Sequence, residues 1–148
     1  MDERDRIRLL AFFEARLDDD TSAAEAATPG PWWHNPGKQW LGPDAFERYD
    51  LAKGEEFVGY GGPHPFTGAV AGTGPADNPQ SMADAAFIAR HHPTRVLAEV
   101  YAKRAIVKLY RLAVAHQQAD VSQAYLDAIR VHAATYGDHP DFDERWGR

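Results

Sequence analysis

Histidines and an acidic C-terminal segment are the residues of this chain best suited to chemistry. Imidazole is the commonest metal ligand and the side chain that changes charge nearest neutral pH. The chain has 148 residues and seven histidines, and His139 stands between Asp138 and Asp141. If this segment folds back onto the helix junction at His91, the four side chains form a composite site for a divalent metal. In the simpler interpretation, His91 ends its helix and His139 anchors the tail by hydrogen bonds.

The other polar residues match none of the common catalytic motifs. Adjacent His91 and His92 point about 100° apart on a helix, so they rarely share one ion. No HExxH or G-x-S-x-G pattern occurs, and GTGPADN lacks the Lys-Ser/Thr ending of a phosphate-binding loop. The absence of cysteine excludes disulfides, thiolate zinc sites and cysteine nucleophiles.

The C-terminal segment DHPDFDERW is open to two interpretations. Asp141-x-Asp143 with Glu144 suggests a calcium or magnesium site, but the glycine and distal glutamate of an EF-hand loop are missing. The favoured alternative uses Phe142 and Trp146, which are four residues apart and can dock the tail onto the core.

Aromatic residues in the middle of the chain can either line a pocket or form a core. They are suited to bind a small ligand or to stack on a base, although aromatic residues in a short sheet covered by helices are typically core. The candidate ligand-binding residues, drawn from these aromatics and from the histidines, are Trp33, Trp40, Tyr60, His64, His91 and His92.

The elements that must position these residues form an α+β domain. It has a long N-terminal helix over 1–28, a short antiparallel sheet of two to four strands within 32–80, and helices over 81–136. The tail, 137–148, is expected to dock on the core of this single domain. Pro29 ends the first helix, whose apolar face is predicted from the spacing of Ile7, Leu10, Phe13, Leu17 and Ala24.

Capping residues and prolines predict the boundaries in the C-terminal half. Ser81 and Asp120 are placed to start helices, Pro93 to open the long helix, and Gly137 to stop the last one. The apolar stripe of that last helix is predicted to be Val121, Tyr125, Ala128, His132 and Tyr136. The helix over 94–114 has a wide apolar surface, which indicates contact on two sides: with the sheet, and with either the first helix or a partner subunit of a homo-oligomer.

Composition and charge limit the partners. The formal charge of −6 argues against nucleic acid, which is bound by basic surfaces. No apolar segment is long enough to span a membrane, and the charged N-terminus is not a signal peptide, so a cytoplasmic location is expected. Bases are concentrated between residues 83 and 116, where we expect them to be neutralised by acids elsewhere in the fold.

The segments ATPGPW, ADAAFIARHHPTRVLAEVYAKR and YGDHPDFDERW together resemble an uncharacterised domain-of-unknown-function family of actinobacteria and their phages. The first and second segments also resemble a wider set of small phage accessory proteins. In that family a histidine often occupies the position of Phe87 and an aspartate that of His92. The departure weakens the metal-dependent phosphohydrolase chemistry that such a pair implies.

These observations favour a non-enzymatic phage or prophage accessory protein without a cofactor, which binds a protein or small-molecule partner. The alternative is a metal-dependent hydrolase of a nucleotide-like substrate, in which His91 and His139 act with the nearby aspartates. A third hypothesis, acidic mimicry that inhibits a DNA-binding protein, fits the net charge but not the basic central helix.

Overall fold

The computed structural model describes residues 1–34, 55–61 and 68–147, and its architecture is α+β as the sequence predicts. Two of the candidate ligand-binding residues, Trp40 and His64, lie outside the described residues. The helices are α1 (Glu3–Ala26), α2 (Pro79–Arg90), α3 (Pro93–Ala115) and α4 (Ala119–Ala133), and short 3-10 turns cover Ala134–Tyr136 and Glu144–Gly147. The strands are β1 (Trp32–His34), β2 (Glu55–Tyr60) and β3 (Gly68–Pro75).

The chain forms two compact units. Unit 1 comprises Met1–Ala23 and Leu97–Arg148, and unit 2 comprises Ala24–Val96. Most of α1 and α3 therefore belongs to unit 1, whereas the strands and α2 belong to unit 2. The assignment of the whole chain to one domain stays a prediction.

The core of unit 1 is built by α1, α3, α4 and the C-terminal turn. Phe13, Leu17 and Ile129 are fully buried at its centre, and Trp146 joins them from the tail. Phe142 of the tail also packs against this cluster, so apolar contacts hold the tail on the core of unit 1.

Two apolar faces differ from the predicted ones by small rotations. On α1 the buried residues include Leu9 and Phe12, whereas Ile7 is exposed. On α4 the buried stripe is Leu126, Ile129 and Ala133, and the predicted first member, Val121, is exposed. Alanine-rich and mixed sequences leave several helical stripes of similar apolarity, so packing partners decide which one turns inward.

Helix boundaries are set by residues next to the predicted ones. The side chain of Asn78 caps α2 by accepting a hydrogen bond from the Gln80 N–H at 2.9 Å, so the helix begins at Pro79 and Ser81 is buried inside it. The N-cap of α4 is Gln118 rather than Asp120, which lies in the first turn. Asn78 followed by Pro79 satisfies both preferences of a helix start, a side-chain acceptor and a proline at the first position.

Helix α3 is followed by a residue in the left-handed backbone conformation that is not glycine. Gln117 has a φ of 56°, and the N–H groups of Gln117 and Gln118 donate to the carbonyls of Val114 and Ala113 at 3.0 and 2.9 Å. This double pattern is the Schellman motif, which satisfies carbonyls left over at a helix end. Gly137, predicted as the stop of the last helix, has an ordinary right-handed conformation.

The sheet of unit 2 is antiparallel, with the order β1-β2-β3. Trp33 of β1 pairs with Gly59 of β2, and Tyr60 of β2 pairs with Gly68 of β3. The predicted short antiparallel sheet within 32–80 is thus confirmed. Helix α2 covers one face of this sheet, where Val58, Ala85 and Ala89 form a small core.

Aromatic rings lie directly on the two paired glycines. A Cβ atom on Gly59 would be 2.6 Å from the Trp33 ring, and one on Gly68 would be 2.8 Å from the Tyr60 ring. Both distances are shorter than any real contact allows, so only glycine admits the rings at these positions. Covering strand glycines with aromatic side chains is a recognised means of stabilising a sheet and setting its register.

Among the residues that the structure describes, no helix is long and apolar enough to cross a membrane.

We expect Gly59→Ala to lower the free energy of unfolding by about 1–3 kcal/mol, because the added methyl group must displace the Trp33 ring. Gly72→Ala on β3 is the matched control. Its Cβ would meet only the end of the Glu55 side chain, at 3.2 Å, and this flexible group can move away. Urea unfolding of the two variants provides the comparison. Equal urea midpoints for the two variants would contradict this prediction, because the packing of the Trp33 ring would then not require glycine at position 59.

Candidate ligand-binding site

A pocket of about 820 Å³ opens in unit 2 between β1 and the C-terminal half of α2. This volume is in the range of small-molecule sites. The described residues that line it are Pro31, Trp32, Trp33, His34, Ala86, Phe87, Ala89, Arg90 and His92.

The two tryptophans of β1 are anchored through their indole N–H groups. Trp32 Nε1 donates to the Thr28 carbonyl at 2.8 Å, and Trp33 Nε1 donates to the Gly61 carbonyl at 3.0 Å. Because both donors are already paired, the rings offer apolar surface rather than hydrogen bonds. Trp33 is 8% exposed, whereas Trp32 is half-buried and packs against the core cluster on the α2 side.

Small and large side chains alternate along the opposite wall. Ala85 and Ala89 are buried against the sheet, so the helical repeat turns Phe87 outward. The Phe87 ring is 66% exposed, and the His91 imidazole lies beside it, at 4.5 Å between ring centroids. The ring is therefore accessible to a ligand at the rim of the pocket.

The α2–α3 junction closes one end of the site. His91 ends α2 and its N–H donates to the Ile88 carbonyl, which agrees with the simpler interpretation of this residue. His92 Nδ1 accepts from the Arg95 N–H at 3.4 Å at the start of α3, where Pro93 is the first residue, as predicted. A Cβ on Gly30 would lie 2.9 Å from that same His92 Nδ1. The turn before β1 therefore needs glycine in order to approach the junction.

Two polar groups of the pocket have no hydrogen-bond partner among the described residues. Nδ1 of His34 is buried and lacks a hydrogen-bond partner among the described residues. The Arg90 side chain is exposed at the end of α2, and no described residue forms an ion pair or hydrogen bond with its guanidinium. An unsatisfied buried polar atom costs about 1–3 kcal/mol, and a ligand that pairs with it recovers part of that cost.

The C-terminal segment of unit 1 lies against α1 rather than forming an open acidic loop. Phe12 of α1 contacts Phe142 and Trp146, with centroid separations of 5.8 and 5.3 Å. Asp143 accepts hydrogen bonds from Arg145 Nη2 at 2.6 Å and from Arg145 Nε at 2.9 Å, and it lies 3.5 Å from Arg8. Asp143, one of the carboxylates that the sequence suggests as ligands of a cation, is thus paired with two arginines.

Tyr136 joins the tail to both long helices within unit 1. Its hydroxyl donates to Asp20 at 2.5 Å and accepts from Lys103 at 3.3 Å. Burial of the phenol, followed by the hydrogen bond to Asp20, raises the pKa of Tyr136 well above its usual value. This phenol therefore stays protonated and keeps donating throughout the neutral range.

His139 is engaged inside unit 1. Its Nε2 contacts Arg16 Nη1, and its Nδ1 accepts from the Asp141 N–H at 3.1 Å. A metal ion at Nε2 would have to displace a guanidinium cation. Among residues 1–34, 55–61 and 68–147, no group of three or more His, Asp or Glu side chains is arranged to hold a metal ion.

A family model described as a family of unknown function, DUF6221, matches residues 6–148. The chain belongs to the DUF6221 family. No curated protein and no solved structure matches it. The resemblance found in the sequence is thereby confirmed at the level of a family of unknown function.

In this DUF6221 member the pocket unites only part of the predicted site. Trp33 and His92 line it, and His91 contacts its rim through Phe87. Tyr60 covers Gly68 instead. The other seven described lining residues were absent from the predicted set, among them Trp32, His34, Phe87 and Arg90. Phe87 was detectable, because the alternation of Ala85, Phe87 and Ala89 in a helix already points an aromatic ring away from the sheet.

The predicted metal site divides between the units. His91 belongs to unit 2, whereas Asp138, His139 and Asp141 belong to unit 1, and the composite site stays a prediction. The predicted oligomer interface on α3 also stays a prediction. Val107, the centre of its apolar face, is buried in the core of unit 1, while Tyr101 is 78% exposed on the same helix.

The Asp143 carboxyl is expected to titrate far below its ordinary range. The hydrogen bonds from the Arg145 side chain are the largest cause and lower the pKa of Asp143 from 3.8 to about 2. Because the folded-state value is depressed, the pairing stabilises the fold above pH 3.8, and this contribution is lost as the pH falls through about 2. Carboxyl-carbon NMR titration should show the pKa rising toward 3.8 in Arg145→Gln.

Arg8→Gln serves as the control for that titration. Arg8 acts on Asp143 only by attraction through space and is the weakest of the causes, so its removal should raise the pKa less than Arg145→Gln does. Equal shifts in the two variants would contradict the assignment of the effect to the hydrogen bonds.

Proposed function

We propose that this protein is a non-enzymatic binding protein and that the pocket of unit 2 receives a planar apolar group of a small-molecule partner. The exposed Phe87 ring opposite the Trp32 and Trp33 strand is the observation that supports this proposal most strongly. The exposed ring provides a surface on which a flat ligand can stack.

Pre-organisation supports binding at this pocket. Each indole is held by a hydrogen bond to a backbone carbonyl, and Trp33 is also fixed by contact with Phe57, at 5.9 Å between centroids. A ligand that enters therefore need not order these two side chains, and the entropic cost of binding is reduced. The indoles on the strand side are thus held in place, whereas Phe87 and Arg90 on the helix side are exposed.

The chemistry of the lining supports binding rather than catalysis. It combines aromatic rings, alanines, one guanidinium and two imidazoles, and no serine, threonine, tyrosine or carboxylate is among the described lining residues. The two imidazoles are potential general bases, but no hydroxyl or carboxylate among the described lining residues is present to act as a nucleophile or to orient them. An accessory role in a phage or prophage setting is the biological context that the sequence resemblance suggests, and it fits a protein whose task is recognition.

The alternative, a metal-dependent hydrolase, has less support. His139 Nε2 contacts a guanidinium, and the Asp141 carboxylate is 81% exposed and lies 4.0 Å from Nδ1 of His139. Neither feature attracts a divalent cation, because the guanidinium repels it and one isolated carboxylate binds it weakly.

Pocket binding is testable with 3-methylindole, a neutral planar probe. We expect calorimetric binding to the full chain and a shift of the Trp32 indole N–H resonance, because Trp32 is the tryptophan whose ring faces α2. Phe87→Ala should weaken binding by about 1 kcal/mol, or about fivefold, because one stacking partner is lost. Val131→Ala, at a 72% exposed position on α4 of unit 1, should bind as the parent does. An absence of binding by the parent, or equal affinity in Phe87→Ala, would refute the proposal.

The hydrolase alternative predicts the opposite response to metal ions. Under the binding proposal, zinc, manganese and magnesium should each leave the midpoint of thermal unfolding unchanged. A folded-state metal site would instead raise stability by about 2.7 kcal/mol at 100 times its dissociation constant. If such a stabilisation were seen and His139→Gln abolished it, the hydrolase would replace the binding protein as the leading function.

A further inference from the structure

We propose that the ligand of the unit 2 pocket is an aromatic acid, whose ring stacks at Phe87 and whose anionic group pairs with Arg90. This inference rests on the proposed function, because it assigns the charge of the ligand for that same pocket. It is supported by the charge of the lining and by two groups that have no partner among the described residues, the Arg90 guanidinium and Nδ1 of His34.

The lining is depleted of acids in an acidic protein. The chain contains 22 aspartates and glutamates against 16 lysines and arginines, yet none of the described lining residues is acidic. The charged or ionisable lining groups are Arg90, His34 and His92, and all of them become cationic when they are protonated. The pocket is therefore complementary to an anion, in contrast to the net charge of the chain.

Arg90 is available for this role, unlike most arginines of unit 1. Arg104 pairs with Asp18 at 2.6 Å, Arg111 with Glu14 at 2.8 Å, and Arg145 with Asp143 at 2.6 Å. Arg90 has no such partner among the described residues, and its five N–H donors remain open to a planar acid. A carboxylate can take two of these donors at once, which fixes its orientation as well as its charge.

The His34 nitrogen provides a second polar contact on the opposite wall. Its Nδ1 is buried and has no hydrogen-bond partner among the described residues, on a strand whose neighbouring indoles are both satisfied. A rotation of the imidazole toward the pocket lets an oxygen of the ligand satisfy this atom. The pocket thus presents an aromatic centre with polar groups on both sides, which matches a ring bearing an acid and not a plain hydrocarbon.

The helix dipole of α2 opposes this arrangement and must be weighed. The C-terminal end of a helix carries about half a negative charge, spread over its last carbonyls. Here Arg95 Nη1 donates to the Arg90 carbonyl at 3.3 Å, and the His91 N–H donates to the Ile88 carbonyl at 3.0 Å. Since these carbonyls are paired and Arg90 carries a full charge, attraction of an anion prevails at the pocket.

Three indoles of nearly equal shape test the inference: 3-methylindole is neutral, indole-3-acetate is anionic and tryptamine is cationic. In calorimetry on the full chain we expect indole-3-acetate to bind about fivefold more tightly than 3-methylindole, because the ion pair is partly exposed and hence modest. Tryptamine should bind most weakly. Raising the salt concentration should reduce the advantage of the anion.

Arg90→Gln should remove the preference for the anion while leaving the affinity for 3-methylindole unchanged. Arg90→Lys should keep part of the preference, since it retains a positive charge without the planar fork. Arg4→Gln is the control, because Arg4 is an exposed arginine of α1 in unit 1 and does not line the pocket.

The outcomes separate this inference from the function on which it rests. Equal binding of the neutral and anionic indoles, with no effect of Arg90→Gln, overturns the acid assignment but keeps the pocket. Tighter binding of tryptamine overturns it as well. Failure of all three indoles to bind overturns the pocket itself. Loss of the preference in Arg90→Gln but not in Arg4→Gln supports the inference.

Discussion

The contact between the Trp33 ring and Gly59 is the constraint on which unit 2 depends. Strand β1 has only three residues and pairs with β2 alone among the described strands, so its few backbone hydrogen bonds contribute roughly 0.5–1.5 kcal/mol each. Burying an indole of roughly 200 Å² contributes at most ~5 kcal/mol. Burial of the Trp33 indole therefore contributes more to the position of β1 than the backbone hydrogen bonds of this strand do. Gly59 makes that position sterically possible.

Everything in the candidate site follows from where this contact puts β1. With Trp33 fixed on one face of the sheet, strand alternation directs Trp32 toward α2, where it packs beside Val58 and Ala89. The glycine at position 30 then brings the preceding turn against His92. A gap remains between β1 and α2 because the helix presents alanine at positions 86 and 89, and this gap is the pocket.

Charge is handled differently in the two units. In unit 1 the bases of α3 find acids on α1, as the pairs Arg104–Asp18 and Arg111–Glu14 show, and the expectation that the charged faces neutralise each other is confirmed there. Such exposed pairs add little stability, so the fold of unit 1 rests mainly on its apolar core. In unit 2 the base at the end of α2 remains unpaired among the described residues, at the place where a ligand can use it.

The amino-acid sequence by itself determined the α+β class, the order of the elements and the breaks at prolines 29 and 93, because these depend on local backbone preferences. It also indicated that Phe142 and Trp146 dock the tail, since their spacing places both on one side of a turn. Only the tertiary structure decided which helical stripe is buried and which tryptophan lies inside. Those choices depend on the surface that each element meets, as the rotated faces of α1 and α4 show. The pocket was likewise decided by the tertiary structure. Its walls come from residues 31–34 and 86–92, and no local spacing connects these two segments.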